Sequence, residues 1–299
     1  MNMKAIINQT ARAMPLSRIA LWMLVILTAV EARAQGSIPV PEEGNEITPA
    51  ASAGLTFAIG AFGDVGPSFH SASFASLPGM VSCQGDTILY AGSTGLRTAF
   101  GASIGMVPRR MDGGFGSHIG WNVKIGLAMT SGSFSAEERI GQALSPSGAI
   151  VPVVSRYDVD ASLMSIAIEP VVSYTLSRST PLIFSLGPSL GVAVSASYDQ
   201  SESVASPSGA QFGDGRTVRN ERSGDIEEKS GMVLGGLLGL GYDIALAPTV
   251  TLRPELTGLI DLSGPVSDID WKSNALRIGV SLLFMSAQIE SNPLGAGSR

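Results

Sequence analysis

The sequence predicts an all-β fold, an eight-stranded antiparallel transmembrane barrel built as an up-and-down meander. Eight segments alternate apolar residues with small or polar ones. The composition is 44% hydrophobic, yet no long uninterrupted apolar run follows the first 34 residues. The connections between the segments also alternate between long and short. Because strand side chains point to opposite faces in turn, such segments fit a wall between lipid and a polar lumen.

The N-terminus is typical of a secretory signal peptide. Lys4, Arg12 and Arg18 form a basic leader, an apolar run covers 19–30, and residues 32–34 (Ala-Arg-Ala) form a small-x-small cleavage site. The apolar run is too short to cross about 30 Å of hydrocarbon. We therefore predict cleavage after residue 34. The predicted organisation is listed here: signal peptide 1–34, periplasmic lead-in 35–53, barrel 54–284 and a short C-terminal tail 285–299.

The first four strands are predicted where every second residue is apolar. They are placed at 55–65, 95–106, 118–130 and 157–176. The third shows the cleanest alternation, with apolar residues at odd positions from Ile119 to Met129. The first has an exception at Phe62, which faces the lumen. The fourth contains Pro170, which lacks the N–H that a paired strand donates, so we expect a bulge there.

The last four strands are predicted at 182–198, 232–246, 250–262 and 276–284. The segment 232–246 is the most hydrophobic of the mature chain, but it contains Gly235, Gly236, Gly239, Gly241 and Asp243. Each glycine disfavours a helix by about 1 kcal/mol, so the segment is predicted as a strand. In the final strand, the five even-numbered positions from 276 to 284 are all apolar.

The connections predict which end of the barrel faces outward. The predicted long loops are 66–93, 131–156 and 199–230, with short turns between them and a moderate loop at 263–271. An even number of antiparallel strands with both chain ends in the periplasm places the short turns there and the long loops outside. The sequence leaves open whether 86–93 and 149–157 extend strands above the membrane.

Charge and cysteine content exclude several classes of function. The chain has a net charge of −6, and the predicted signal peptide carries four basic residues and one acidic residue, which leaves the mature chain near −9. This acidity argues against nucleic acid as a partner. A single cysteine, Cys83, permits no intramolecular disulfide and no multi-cysteine metal site. We predict no cofactor and no metal.

Nine charged residues are predicted to face the lumen. The acids are Asp64, Glu169, Asp243, Glu255 and Asp261, and the bases are Arg97, Lys124, Arg253 and Arg277. An eight-stranded barrel is just wide enough for side chains, and an unpaired buried charge is strongly destabilising, so the nine should form a network of ion pairs. We expect Lys124 to pair with Glu169 near mid-barrel. The network is interpreted as a polar core that holds the barrel shut, with a narrow ion path as the alternative.

The last strand carries a pattern that resembles the terminal assembly signal of bacterial outer-membrane barrels. The pattern consists of Arg277, Gly279, Leu282 and the aromatic Phe284. The mature region as a whole resembles the small eight-stranded outer-membrane barrels, the class that includes the membrane domain of OmpA. The resemblance implies recognition by the barrel-assembly machinery and contact with outer-membrane lipid and lipopolysaccharide.

The resulting functional prediction is a monomeric, non-enzymatic outer-membrane protein with a structural or surface-interaction role. The sequence names no ligand for its loops. Three alternatives remain: a small channel, a soluble secreted binding module, and a lipid-modifying enzyme. An enzyme of this kind would use His70 with a neighbouring serine, but no nucleophile motif surrounds it, and His118 falls at the periplasmic rim.

Overall fold

The structure is a computed structural model that describes residues 55–80, 88–108, 118–145, 147–177, 180–267 and 269–286. The predicted signal peptide, lead-in, Cys83 and nearly all of the C-terminal tail lie outside these residues. Within them no helix is long and apolar enough to span a membrane. The described residues form ten β-strands: β1 Leu55–Ser71, β2 Thr94–Pro108, β3 Ile119–Leu144, β4 Ile150–Thr175, β5 Leu182–Ser206, β6 Val218–Asp225, β7 Val233–Tyr242, β8 Ile244–Ala247, β9 Val250–Asp261 and β10 Lys272–Met285.

Eight of these strands close into a ring. Their order is β1-β2-β3-β4-β5-β7-β9-β10, every pairing is antiparallel, and β10 pairs with β1 from Ala58↔Met285 to Ser71↔Lys272. The short β8 continues β7 along β9, and β6 folds back on the outer end of β5. The ring therefore confirms the prediction of an eight-stranded antiparallel up-and-down barrel.

The wall of the ring alternates as predicted. Apolar side chains are exposed on its outside: Phe57, Ile59, Phe100, Ile104, Trp121, Ile125, Ile166, Val172, Phe184, Leu186, Leu238, Leu240, Leu256, Ile260, Leu276, Ile278 and Phe284. Buried polar side chains alternate with them on the inside: Thr56, Ser103, Thr130, Ser165, Ser173, Thr175, Ser189, Thr251 and Ser281. We call the exposed set the apolar belt.

Phe62 packs inside the ring because its neighbours are small. It lies against a cluster of Ala99, Ala128 and Ala167. A Cβ added to Gly126 would lie 3.0 Å from the Phe62 ring and 2.3 Å from the carbonyl oxygen of Phe100, so only glycine fits there. The small residues of β2, β3 and β4 thus make room for one inward aromatic ring.

Four strands, β1, β3, β4 and β5, are longer than the sequence predicts by six residues or more, and β1 extends to Ser71. β3 and β4 pair continuously to Leu144↔Ile150, with one irregularity between Arg139 and Gly141, so the predicted loop 131–156 is wrong. The predicted loop 199–230 is also wrong in part, since β5 runs to Ser206 and pairs with β6. The extensions of β3, β4 and β5 stand beyond the apolar belt as two hairpins, β3–β4 and β5–β6.

The polarity of the two faces inverts where the extensions begin, while each position keeps its facing. On β3 the outward residues change from Ile125 and Met129 to Ser131, Ser133 and Ser135. At the same height the inward residues become apolar and buried: Phe134, Ala136, Tyr157, Val159 and Ala161. The alternation itself continues with a period of two. This inversion is what strands need when hydrocarbon outside the wall gives way to water.

The predicted bulge at Pro170 is absent. Pro170 pairs with Val123 of β3 without a register change. On the other side, the pairing of β4 with β5 has the same register before and after the proline, at Ile168↔Leu190 and Val172↔Leu186. The irregularities of this strand pair lie between Val154 and Ser155 and between Met164 and Ser165 instead.

The inversion predicts a position-dependent response to charge on β3. Ile125→Arg places a charge in the apolar belt and should destabilise the protein in phospholipid vesicles by about 2–4 kcal/mol. Ser135→Arg, on the same face of the same strand above the belt, should change the unfolding free energy by less than about 1 kcal/mol. Urea titration of tryptophan fluorescence measures both, and equal effects would contradict the inversion.

Candidate functional site

The candidate site is the lumen and its outer closure. The nine charged residues predicted for the lumen lie on inward positions of the ring strands, apart from Asp243, which lies between β7 and β8. Arg97, Glu169, Arg253, Asp261 and Arg277 are buried. They fall into three levels, which are described from the centre toward each end.

Arg277 of β10 occupies the centre and is 1% exposed. Its Nη1 and Nη2 donate to Oε1 and Oε2 of Glu169 at 3.1 and 3.3 Å. Nη1 also lies 3.4 Å from Oδ2 of Asp64 on the adjacent strand β1. A planar guanidinium that meets a carboxylate through two bonds is the strongest form of this interaction. This level therefore ties β10 to β4 across the lumen and to β1 along the wall.

The predicted pair of Lys124 with Glu169 is wrong. The two residues are direct neighbours in the β3–β4 register. However, Lys124 forms its ion pair with Glu255 of β9, and Glu169 accepts from Arg277. The Lys124 ammonium also lies 5.4 Å from the centre of the Phe62 ring. In a lumen this narrow, long side chains reach the opposite wall. Residues that lie opposite each other on two paired strands therefore need not form an ion pair.

The other two levels each hold one further base and one further acid. At the end of the ring with the short turns, Arg253 Nε and Nη2 donate to the two carboxylate oxygens of Asp243 at 2.6 and 3.0 Å. At the end with the hairpins, Arg97 Nη1 donates to Thr130 Oγ1 at 3.2 Å, and Asp261 accepts from the backbone N–H of Ser273 at 3.2 Å. The four bases and five acids are thus spread along the lumen.

Small cavities separate these levels. One of about 20 Å³ lies between Arg97, Asp261 and Trp271, and one of about 10 Å³ lies beside Lys124 and Glu255. Each holds about one water molecule. Arg97 lines the first cavity and Asn122 the second, and a water in each would satisfy Arg97 Nε and Asn122 Oδ1, which have no protein partner. The described side chains therefore fill the lumen.

Above the charges lies an apolar cluster that we call the outer plug. Its buried members are Phe74, Leu77, Met80, Tyr90, Phe134, Ala136, Tyr157, Val159, Ala161, Leu163, Ala196, Tyr198, Ile226, Val266 and Trp271. The Phe134 ring meets those of Trp271 and Phe74 edge to face at 5.4 and 5.2 Å. Such aromatic pairs add stability beyond area burial.

The segment after β1 supplies part of the outer plug and is anchored by backbone contacts. Tyr198 donates from its hydroxyl to the carbonyl of Gly79 at 3.2 Å, and the N–H of Glu227 donates to the carbonyl of Pro78 at 3.0 Å. Sequence reasoning missed this closure. The available signal was the alternation of Phe134 and Ala136 with serines in a stretch that otherwise reads as a polar loop.

His70 is fixed beneath the outer plug in a form that cannot act as a base toward serine. The indole N–H of Trp271 donates to His70 Nδ1 at 3.0 Å, and an indole is only a donor. The proton therefore sits on Nε2, which donates to the carbonyl of Ser131 at 2.9 Å. Ser68 Oγ, 3.0 Å from Nε2, donates to the same carbonyl at 3.2 Å. No ring lone pair remains for the serine proton.

His118 is also engaged at the opposite rim. Its Nδ1 lies 2.8 Å from the carbonyl of Thr175, and its ring stacks on Tyr174 at 5.5 Å. Among the described residues, no group of three or more His, Cys, Asp or Glu side chains could hold a metal ion. The two histidines thus have structural contacts at opposite ends of the ring.

Glu202 organises the β5–β6 hairpin. It is fully buried and accepts from Ser155 Oγ at 2.8 Å, from Arg219 Nε and Nη2 at 2.9 and 2.8 Å, and from Asn220. The Arg219 guanidinium also lies 4.0 Å from the centre of the Phe212 ring. Burial by itself would raise the pKa of Glu202, but the hydrogen bonds from Arg219, Ser155 and Asn220 outweigh it and hold that pKa below its ordinary value.

Tyr157 lies next to the Glu202 carboxylate, and the negative charge of that carboxylate affects the pKa of the phenol. Burial, followed by the negative charges of Glu202 and Glu138, raises the pKa of Tyr157 to about 12. Its hydroxyl donates to Glu138 at 3.3 Å. The phenol therefore remains protonated and joins the outer plug to the β3–β4 hairpin.

The residues of the terminal signal divide between the two faces of β10. Arg277 and Gly279 face inward, whereas Leu282 and Phe284 face outward. A Cβ on Gly279 would lie 2.6 Å from the Asp64 Cβ, so the glycine leaves room for the aspartate that meets Arg277. The pattern thus has a packing role in the closed ring.

The closed ring, apolar belt and polar lumen define the class of transmembrane β-barrels. No protein-family model matches the chain, and no curated protein matches it. Solved structures of similar fold include Neisserial surface protein A, with 15% identity, a TM-score of 0.32 and coverage of 76% of this chain and 96% of that one. The attachment invasion locus protein Ail of Yersinia pestis gives 12% identity, a TM-score of 0.25 and coverage of 77% and 99%.

The outer membrane protease OmpT of Escherichia coli is a further structure of similar fold. It shows 12% identity and a TM-score of 0.28, with coverage of 80% of this chain and 99% of that one. Since all three TM-scores lie below 0.5, the assignment of the fold depends on the strand pairing described above.

The central ion pair predicts an asymmetry between single and double substitutions. Glu169→Leu leaves Arg277 buried without its main partner and should destabilise the barrel by about 3–5 kcal/mol. Glu169→Leu combined with Arg277→Met, made in an Asp64→Asn background, leaves no unpaired charge at this level and should recover most of that loss. Unfolding free energies in vesicles measure the cycle, and a double variant as unstable as the single one would contradict it.

The low pKa of Glu202 predicts acid opening of the β5–β6 hairpin. A carboxylate whose pKa is depressed on folding stabilises above its unfolded value and loses that contribution as the pH falls through its folded value. Protection of the β6 amides from hydrogen exchange should therefore be full at neutral pH and decline below the ordinary value of 4.5. Glu202→Gln should show weaker protection that no longer follows this titration. Acid-insensitive exchange in the unsubstituted protein would be evidence against the role of Glu202.

Proposed function

We propose that this chain is an integral outer-membrane protein with a closed lumen and a structural or surface-interaction role. The observation that carries the proposal is the inversion of polarity on the two faces of continuous strands. Below the inversion the wall exposes Ile125, Leu238 and Ile260, which favours hydrocarbon outside. Above it the wall exposes serines and aspartates, which favours water.

The closed lumen supports a non-conducting role over a channel. Charged side chains at three levels and the outer plug lie in series along the barrel axis. The cavities between the described side chains hold about one water each, at about 10–20 Å³. Conduction through this arrangement would require both the charged levels and the plug to rearrange.

A lipid-modifying enzyme is less well supported. His70 is the histidine on the outer side of the barrel, and both of its ring nitrogens have partners. We therefore propose a non-enzymatic protein. The proposal retains lipid as the partner of the apolar belt, the assembly machinery as the partner of the last strand during biogenesis, and a monomer as the assembled state. It also includes removal of residues 1–34 on export.

The two hairpins favour a surface-interaction role. They extend past the apolar belt and are fixed by the outer plug and the Glu202 cluster. Their outer faces carry Asp158, Asp160 and Asp199, while apolar side chains are exposed at the tip of the β3–β4 hairpin, with Leu144 at 75%. Two anchored hairpins with polar outer faces and an apolar tip can contact molecules outside the cell. The identity of such a molecule is not part of the proposal.

The proposal predicts three results for protein refolded from residue 35 onward. It should require detergent or vesicles for solubility and migrate faster in gels before heating than after. It should also give no discrete conductance steps in planar bilayers, because the lumen is filled. A freely soluble monomer would contradict the membrane assignment, and reproducible conductance steps would replace the closed barrel with a channel.

A further inference from the structure

One region of the apolar belt is concave rather than convex. A groove of about 730 Å³ lies on the outside of the wall between β5, β7, β9 and β10. All residues that line it are apolar or glycine. We call it the wall groove.

Two glycines form its floor and two long side chains form its sides. In the β7–β9 register, Gly236 lies opposite Ile260, and Leu238 lies opposite Gly258. The glycines therefore occupy one diagonal of a four-residue cell. Leu238 and Ile260 occupy the other diagonal and are 65% and 61% exposed. The floor thus runs diagonally between two protruding side chains.

Packing within the protein does not require these glycines. A Cβ on Gly236 would meet no atom within 4 Å, and one on Gly258 would come no closer than 3.9 Å to the carbonyl oxygen of Leu238. Gly101 and Gly187, which face inward, are crowded, since a Cβ there would lie 2.1 and 2.0 Å from backbone oxygens, whereas the outward Gly63 of β1 is as open as Gly258. Glycine weakens a strand and often marks close approach of a ligand. The space between Leu238 and Ile260 therefore stays open because neither Gly236 nor Gly258 carries a side chain.

We propose that the wall groove binds one acyl chain of a membrane phospholipid. This inference depends on the proposed membrane location. The groove is continuous with the apolar belt, and its lining offers water no hydrogen-bond partner, so hydrocarbon must fill it. The absence of basic residues from the lining disfavours lipopolysaccharide phosphates as the anchor. A flexible chain can follow the floor between Leu238 and Ile260 and contact atoms on both sides.

A second copy of the chain fits the groove less well. A symmetric dimer would place one groove against the other, and two concave surfaces enclose a void. Transmembrane helices associate in lipid through close van der Waals packing rather than through a hydrophobic driving force. We expect the same of two barrel walls. A void would forfeit that packing, whereas an acyl chain supplies it.

The test is native mass spectrometry of the full barrel in detergent with palmitoyl-oleoyl phosphatidylethanolamine. Unsubstituted protein should retain one phospholipid as collision energy rises. Gly236→Leu/Gly258→Leu fills the floor, and the lipid-bound fraction should fall about fivefold, because a chain makes many small dispersion contacts along its length. The matched control is Ala61→Leu/Gly63→Leu, two leucines added to the outside of β1 away from the groove, which should retain the lipid.

Each other result overturns the inference. Equal retention by the groove variant would show that the lipid lies elsewhere, and loss in both variants would show non-specific annular binding. A dimer without lipid would assign the groove to a second copy, and preferential retention of added lipopolysaccharide would assign it to that lipid. Heat-dependent gel migration of every variant reports folding separately, so failure of the membrane assignment is distinguishable from failure of the groove.

Discussion

The structure depends on one constraint: the strands continue while the solvent outside them changes. A barrel strand cannot end inside hydrocarbon without leaving N–H and C=O groups unpaired, so β3, β4 and β5 keep their pairing as they leave the apolar belt. What can change is the side chain at each position. Serines and aspartates replace leucines and isoleucines on the outside, and aromatic residues replace polar ones on the inside.

This inversion gives the two ends of the barrel different interiors. Within the belt, the interior is polar and must satisfy its charges without bulk water. Above the belt, the interior is apolar and packs as a small core, with Phe134 and Trp271 near its base. The two interiors meet at His70, whose ring accepts from the Trp271 indole and donates to the backbone at Ser131. A filled lumen follows from both interiors together.

Because the lumen is filled, the surfaces available to partners lie on the outside of the barrel. In the proposed membrane location the wall contacts lipid, and the wall groove is a concave part of that wall. The hairpins meet the exterior medium, and Glu202 keeps β6 on β5 by accepting hydrogen bonds from three different residues. The barrel thereby separates its lipid contacts from its surface contacts along one set of strands.

Local alternation of apolar and polar residues is enough to predict the number, order and facing of the ring strands. A side-chain period of two is a local property, and it placed Ile119 to Met129, Leu182 to Val194 and Leu276 to Phe284 on the correct faces. The same parity places eight of the nine charged residues at inward positions, and the ninth, Asp243, lies between β7 and β8. Outward apolar residues were also recognised position by position, since each strand needs only its own alternation to show them.

The partners of the inward residues depend on distances across the folded barrel. Lys124 and Glu169 are neighbours on paired strands, but the width of the lumen lets each reach a partner on a more distant strand, and no local pattern encodes that distance. The hairpin over 131–156 was missed because its alternation has the opposite sense, and a sequence does not state where water replaces lipid. The wall groove likewise required the register of β7 on β9, which brings Gly236 and Gly258 onto one diagonal.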